Sequence, residues 1–137
     1  MRVVAIAGGT GSAKLLRGLA RAVSGITVLA NVGDNYWAHG LYVCPDVDIA
    51  MYTLAGLSDR SRGWGLKADT FRTLQQLGRL GEETWFQLGD RDLATHIVRT
   101  RMLGDHRSLT EITAHLCGKF GVREKLLPAS NDPLELT

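Results

Sequence analysis

The sequence predicts an α/β fold with a mainly parallel sheet, because two short apolar runs flank an amphipathic helix near the N-terminus. The run over residues 3–7 is rich in β-branched residues and carries no charge, which is typical of a parallel strand buried on both faces. Residues 26–30 form a second such run. From Ser12 onward, apolar residues recur at helical spacing. A strand, a helix and a strand of these lengths predict a βαβ unit with a right-handed crossover.

The loop between the first strand and this helix has the composition of an anion-binding turn, Gly8-Gly-Thr-Gly-Ser-Ala-Lys14. Glycines leave backbone N–H groups accessible, and the positive end of the helix stabilises a phosphate in front of them. The loop matches neither the dinucleotide fingerprint, whose third glycine is replaced here by Lys14, nor the P-loop, so a turn that binds nothing stays the alternative. The predicted phosphate-binding residues in this loop are Gly8, Gly9, Thr10, Gly11 and Lys14.

Polar residues follow the second predicted strand. Because the carboxyl ends of parallel strands meet at one rim of the sheet, Asn31 is expected to face the glycine loop and share its ligand. Asp34 lies just beyond, and Asp46 and Asp48 stand at the start of a helix predicted over residues 47–57. Carboxylates beside a phosphate site are typical Mg²⁺ ligands, which makes these three acids candidates. The alternative is capping, with Asp46 as the N-cap and Asp48 as a first-turn charge.

Further helices and a third strand are predicted downstream. Ser108-Leu-Thr-Glu111 is a capping box, which predicts a helix that ends near Gly121. The other predicted elements are a helix over residues 69–78, a short strand or extended segment over 84–88, a helix after residue 89 and a strand over 123–127. Together they predict one Rossmann-like, three-layer domain over residues 1–137.

The turn before the predicted helix at residue 90 is densely charged, Gly89-Asp-Arg-Asp92. Asp90 is a possible N-cap, and Arg91 is a possible ion-pair partner of an acid. His96 stands beside the apolar stripe of that helix, where a structural hydrogen-bond donor and a general base are equally consistent with the pattern.

Composition narrows the functional classes. The 137 residues are 45% hydrophobic and 22% charged, which fits one globular domain. The 16 basic and 14 acidic residues are interspersed and give a net charge of +2, so no basic arm indicates nucleic acid binding. No apolar run has the length of a membrane span or signal peptide, and the two cysteines form no metal or disulfide motif. We therefore expect a cytoplasmic protein without a membrane partner.

Five motifs in order resemble the 2-phospho-L-lactate transferase family of coenzyme F-420 biosynthesis. Nucleotide-sugar-binding regulators share the opening Gly-Gly-Thr-Gly, but the block over residues 85–96 favours the transferase. The five motifs span residues 8–19, Asn31-Val-Gly-Asp34, Pro45-Asp-Val-Asp48, Tyr52-Thr-Leu-Ala-Gly56 and Leu88-Gly-Asp-Arg-Asp-Leu-Ala-Thr-His96.

The resemblance implies a Mg²⁺-dependent transfer of a 2-phospholactyl or phosphoenolpyruvyl group from a GDP-linked donor to a hydroxyl of the deazaflavin Fo, releasing GMP. The carboxylates fit this chemistry, and we expect catalytic roles for Asp34 and Asp48 and a metal at Asp34, Asp46 or Asp48. The aspartate matching Asp48 contacts the deazaflavin in the family, as does a basic residue at the position of Gln87, and we add Arg91 to these predicted substrate-binding residues. A non-catalytic nucleotide or nucleotide-sugar binding protein and an inactive fragment are the alternatives.

The sequence departs from the family in three respects. Gln87 replaces a cation and is expected to weaken acceptor binding, because an amide lacks the charge-assisted hydrogen bond. Asn35 replaces an acid found in many relatives, which predicts weaker metal binding. Family members also continue beyond residue 137, so we expect a truncated fold that forms a homo-oligomer, pairs with a partner chain across its uncovered sheet face, or is inactive.

Overall fold

A computed structural model describes residues 2–132 and 134. Its three-stranded sheet is parallel with the order β1-β2-β5, and β3 and β4 form a separate antiparallel pair. This arrangement confirms the predicted α/β class. The strands are β1 (Val3–Ala7), β2 (Ile26–Ala30), β3 (Tyr36–Ala38), β4 (Leu41–Val43) and β5 (Lys125–Pro128), and the helices are α1 (Ser12–Ala22), α2 (Pro45–Leu54), α3 (Arg72–Arg79), α4 (Asp90–Gly104) and α5 (Leu109–Phe120).

Most predicted elements are present, with shifted ends. The capping box is confirmed, since Ser108 accepts a hydrogen bond from the Glu111 N–H and α5 ends at Gly121 in the left-handed conformation. The helix α2 begins earlier than predicted, because Pro45 suits the first helical position. Residues 84–88 form no strand and remain irregular.

The helices cover one face of the parallel sheet. On that face, Ala5, Val28 and Leu126 are buried and belong to the main core. On the opposite face, Val4 is 66% exposed and Ile6 is 79% exposed. Among the described residues, the helices therefore form one layer on one face of the sheet, and no helix layer covers the opposite face, so the predicted three-layer arrangement is two-layered here. None of the helices in residues 2–132 is long and apolar enough to cross a membrane.

The β3–β4 pair holds the irregular segment before α4. Its buried residues Ala38 and Val43 pack with Leu88, and the ring of Tyr36 contacts Phe86 at a centroid distance of 4.9 Å. This small core fixes the backbone over residues 85–88 against β3 and β4 without any strand pairing. It also brings the aromatic residues of that segment towards the start of α2.

The helices α3 and α4 cap each other's N-termini. Asp90 is not the N-cap of its own helix; that position belongs to Gly89. Its carboxylate instead accepts from the N–H groups of Arg72 at 3.0 Å and Thr73 at 2.9 Å, in the first turn of α3. Asp69, just before α3, accepts in return from the N–H groups of residues 91 and 92. The negative charges lie at the positive helix ends, which stabilises both.

A substitution at Gly89 tests this reciprocal capping. A Cβ at Gly89 would lie 2.1 Å from the Asp69 carboxylate, which must then leave the end of α4. We expect Gly89→Ala to lower the free energy of unfolding by about 1–2 kcal/mol, the range for loss of a cap. Urea denaturation measures this change. Gly118→Ala in α5 is the control, because no atom lies within 4 Å of its Cβ and alanine is expected to stabilise the helix. Equal effects at the two glycines would contradict the capping role.

The capping by Asp90 also predicts a pH dependence. The Thr70 hydroxyl and the N–H groups of Thr73 and Arg72 hold the pKa of the Asp90 carboxyl well below its usual value. Stabilisation by a carboxyl with a lowered pKa is complete above the unfolded pKa of about 4 and is lost as the pH falls towards the folded value. Asp90→Asn is therefore expected to lower the free energy of unfolding at about pH 6. At about pH 3 the free energies of unfolding of parent and variant are expected to differ less. Urea denaturation at both pH values, with Asp105→Asn as a charge-matched control, measures this. Parallel pH profiles for parent and Asp90→Asn would rule the effect out.

Candidate functional site

A protein carboxylate occupies part of the glycine loop. The Gly9 N–H donates to Asp46 Oδ1 at 2.7 Å, and the Asn31 amide donates to Asp46 Oδ2 at 2.7 Å. The prediction of Asp46 as the N-cap of α2 is wrong, since Cys44 holds that position and Asp46 lies within the first turn. The helix α1 itself begins without a side-chain cap. A phosphate at this loop would therefore meet the free end of α1 and compete with Asp46 for Gly9.

The structure brings Asn31 and Asp34 to the same rim. The Asn31 side chain donates to both Asp34, at 3.4 Å, and Asp46, and its amide oxygen accepts from the Gly33 N–H at 3.1 Å. Asn31 thereby connects the end of β2 with the glycine loop at the end of β1. Lys14, the remaining predicted phosphate ligand, is exposed on α1 and lines a shallow groove with Arg17 and Arg21.

The predicted metal ligands separate into two places. Asp34 and Asp46 meet at Asn31, and the exposed Asp34 carboxylate makes only one long hydrogen bond there. Asp48 lies apart from them, in the single group of three potential ligands that the described residues form, together with Asp92 and His96. A guanidinium group already contacts the Asp48 carboxylate, and its positive charge disfavours a cation there. Mg²⁺ therefore fits Asp34 and Asp46 better, and its binding stays a prediction.

Asp48 forms a buried ion pair with Arg99. Arg99 Nη2 donates to Asp48 Oδ1 and Nη1 donates to Oδ2 at 3.2 Å, while Nη1 also reaches the carbonyl oxygen of Tyr42 at 3.3 Å. Burial raises the pKa of the Asp48 carboxyl, and the Arg99 charge opposes that rise. Burial alone would lower the pKa of Arg99, but the attraction of Asp48 outweighs it and raises that pKa. The pair joins α2, α4 and β4 at one point.

A chain of hydrogen bonds continues from this pair along α4. Arg99 Nη1 also lies 3.2 Å from His96 Nδ1. His96 Nε2 lies 3.1 Å from Asp92 Oδ2, and the Tyr52 hydroxyl donates to Asp92 Oδ1 at 2.5 Å. Burial opposes ionisation of Asp92, but its hydrogen bond with His96 and the nearby positive charges outweigh it and lower the pKa of this carboxyl.

A cavity of about 330 Å³ lies between this network and the glycine loop. Aromatic and aliphatic side chains form most of its wall, and Asp48, Asp92 and His96 provide the polar end. Thr10 connects it to the glycine loop. We call it the aromatic pocket; its lining residues are Thr10, Val43, Pro45, Asp48, Ile49, Tyr52, Trp64, Gly65, Trp85, Phe86, Gln87, Asp92 and His96.

The predicted substrate-binding residues fall on different sides of this pocket. Asp48 and Gln87 line it. Arg91 does not, because its side chain points to the surface and donates to the Lys67 carbonyl oxygen at 3.3 Å. The expected ion pair of Arg91 with an acid is also absent among the described residues, since the neighbouring carboxylates of Asp69 and Asp90 are used as helix caps.

Sequence reasoning missed Arg99, Asp92 and Tyr52. A usable signal was present in α4, because Asp92, His96 and Arg99 follow each other at intervals of four and three residues and share one face. Polar residues at core positions of a helix indicate a buried network when they recur at this spacing. The partner on α2 is not visible in the local pattern, since Asp48 is 51 positions away from Arg99.

Removal of one partner tests the buried ion pair. Arg99→Met leaves the Asp48 carboxylate buried without its cation, and we expect a loss of about 3–5 kcal/mol in the free energy of unfolding. The double variant Arg99→Met with Asp48→Leu is expected to recover most of this loss, because no buried charge remains. Urea denaturation of the full double-mutant cycle measures the coupling.

Arg101→Met is the matched control, since Arg101 is an exposed arginine of the same helix that pairs with Asp105. We expect it to change stability by less than about 0.5 kcal/mol. If Arg99→Met fails to unfold cooperatively, recovery of a cooperative transition in the double variant supports the pair equally. Additive losses from the two single variants would contradict it.

Comparison with known proteins identifies relatives along almost the whole chain. The chain is 47% identical over 138 residues to a phosphoenolpyruvate transferase of Streptomyces avermitilis, covering 98% of this chain and 43% of that protein. It is 42% identical over 151 residues to a phosphoenolpyruvate transferase of Mycobacterium tuberculosis, covering 98% of this chain and 46% of that one. The chain thus spans less than half the length of these relatives.

A solved structure and a family profile agree with this result. The fold is similar to that of a UPF0052 family protein from Bacillus halodurans, with a TM-score of 0.57 and 23% identity over 95% of this chain and 39% of the other. At that identity the likeness concerns the fold alone. The profile of the family "2-phospho-L-lactate transferase CofD" matches residues 3–137. The chain belongs to the CofD family of 2-phospho-L-lactate transferases.

Proposed function

We propose that the chain forms the acceptor-binding half of a transferase that moves a phosphoenolpyruvyl or 2-phospholactyl group from a GDP-linked donor to the deazaflavin Fo. The observation that supports this most strongly is the aromatic pocket beside the glycine loop. Its volume and apolar wall suit a flat, three-ring heterocycle, whereas a phosphate or sugar alone would leave that wall unsatisfied. The phosphoenolpyruvate transferase names of the relatives favour the phosphoenolpyruvyl group among the two.

The acceptor ring would lie against Trp64, Trp85 and Phe86, with its polar edge towards the Asp48 end of the pocket. Asp48 acts here as a positioned acceptor of hydrogen bonds, because Arg99 fixes the orientation of its carboxylate. Gln87 provides an amide on the same wall. The side chain of the acceptor would then run past Thr10 towards the glycine loop.

The donor phosphates would lie at the glycine loop, where the uncapped N-terminus of α1 stabilises negative charge. In the reaction, the acceptor hydroxyl oxygen forms a bond to the phosphorus that carries the enolpyruvyl group, the phosphoanhydride bond breaks, and GMP leaves. Mg²⁺, when bound by Asp34 and Asp46, would neutralise the phosphate charge that develops. Asp34 is the exposed carboxylate at this rim and would accept the proton of the attacking hydroxyl.

The exposed, apolar face of the parallel sheet is a surface that another chain could cover. Val4 and Ile6 leave that face apolar and exposed. The matched part of the Streptomyces avermitilis relative is 43% of that protein, so more than half of its length lies outside the match. We propose that a partner chain or a second copy covers this face, and that the protein acts in the cytoplasm, as expected for an enzyme of coenzyme biosynthesis.

Binding of the deazaflavin to the aromatic pocket tests the proposal. We expect saturable binding of Fo by equilibrium dialysis, and an affinity about 5- to 100-fold lower in Trp85→Ala, the range for loss of one stacking aromatic side chain. Trp37→Ala is the matched control, since this exposed tryptophan packs on Tyr42 away from the pocket. Unchanged affinity in Trp85→Ala would place the acceptor elsewhere.

A nucleotide-binding protein, an inactive fragment and an active enzyme would give different results with these ligands. Binding of GDP or a nucleotide sugar with no binding of Fo would instead favour a nucleotide-binding protein without transfer activity. No binding of either class, with or without Mg²⁺, would favour an inactive fragment. Release of GMP from a mixture of the chain, Fo, a guanylylated donor and Mg²⁺ would show that the chain works alone.

A further inference from the structure

A second cavity, of about 500 Å³, lies between α1, the end of α2 and the loop over residues 57–67. Its lining shares no residue with the aromatic pocket. Four cations surround it, and we call it the basic cavity: Arg17, Arg21, Arg60 and Lys67. The groove that contains Lys14 adjoins it through Arg17, Arg21 and Arg60.

The positive charge of the basic cavity is not neutralised from within. Asp59 is its one acid, and that carboxylate accepts from both the N–H and the hydroxyl of Ser61 and pairs with Arg62 at 3.3 Å. Within residues 2–132, neither Arg17 nor Arg60 forms an ion pair. Since the whole chain carries a net charge of only +2, this is a local concentration of cations.

A buried hydroxyl group also points to a ligand. Thr53, near the end of α2, lines the basic cavity and is only 5% exposed. Its Oγ1 has no hydrogen-bond partner among the described residues. A buried hydroxyl without a partner costs free energy unless something else satisfies it.

We propose that the basic cavity binds a small molecule that carries an oligophosphate chain, at a site separate from the glycine loop. Guanidinium groups form paired hydrogen bonds with phosphate oxygens, and several such groups around one cavity favour more than one phosphate. The volume lies in the range of small-molecule sites. Inorganic polyphosphate and a nucleoside triphosphate share this chemistry. The inference does not depend on the proposed transferase activity.

Calorimetric titration of the chain with inorganic triphosphate tests the site. We expect saturable binding that weakens as salt rises, and an affinity about tenfold lower in Arg60→Ala and in Arg21→Ala, since each removes a charge-assisted hydrogen bond. Thr53→Val, which removes the hydroxyl at constant charge, is expected to weaken binding severalfold. Arg79→Ala on α3 is the matched control, because it removes the same charge at an exposed position remote from the cavity.

Two comparisons separate this site from others. Parent and Arg60→Ala are expected to bind Fo equally, which distinguishes failure here from failure of the proposed function. Tighter binding of GTP than of triphosphate would assign a nucleotide, and equal binding would assign the phosphate chain alone. Triphosphate binding that is unchanged in Arg60→Ala and Arg21→Ala belongs to the glycine loop and overturns the proposal. No saturable binding, or an equal loss in Arg79→Ala, overturns it as well.

Discussion

The buried pair of Asp48 and Arg99 is the constraint on which the aromatic pocket depends. Both ions are buried, so each is stable only while the other stays in place. The pair fixes α2 to α4, and the contact of Arg99 with the Tyr42 carbonyl oxygen adds β4. Three elements that are distant in sequence thereby hold one end of the pocket at a defined geometry. A hydrophobic replacement would give comparable stability, but it would not orient a carboxylate towards a ligand.

The glycine loop depends on a different carboxylate. Asp46 accepts hydrogen bonds from the Gly9 N–H and the Asn31 amide, which hold the glycine loop against the start of α2. Two aspartates at the start of one helix thus have separate contacts, Asp46 at the glycine loop and Asp48 at the polar end of the aromatic pocket. Their separation by two positions directs them to different sides of α2, which would place the proposed donor and acceptor sites next to each other.

Local patterns predicted much of the fold and less of the site. The β1 and β2 strands follow from uninterrupted apolar runs, and α5 follows from its capping box, because these signals act within a few residues. The irregular course of residues 84–88 was not predictable, since it results from packing against β3 and β4. The roles of Asp46, Asp90 and Arg99 were missed for a related reason. Each polar group finds its partner across the fold, and spacing along the chain carries no record of that partner.

The state of the Arg99 side chain tests this account most directly. In proton–nitrogen NMR spectra, a guanidinium group held by Asp48, His96 and the Tyr42 carbonyl oxygen is expected to give separate Nη1 and Nη2 signals that exchange slowly with water. An exposed arginine such as Arg101 supplies the reference in the same spectrum. Separate, protected signals for Arg99 would support the buried pair as the organising contact. A single averaged signal that exchanges as fast as that of Arg101 would contradict it.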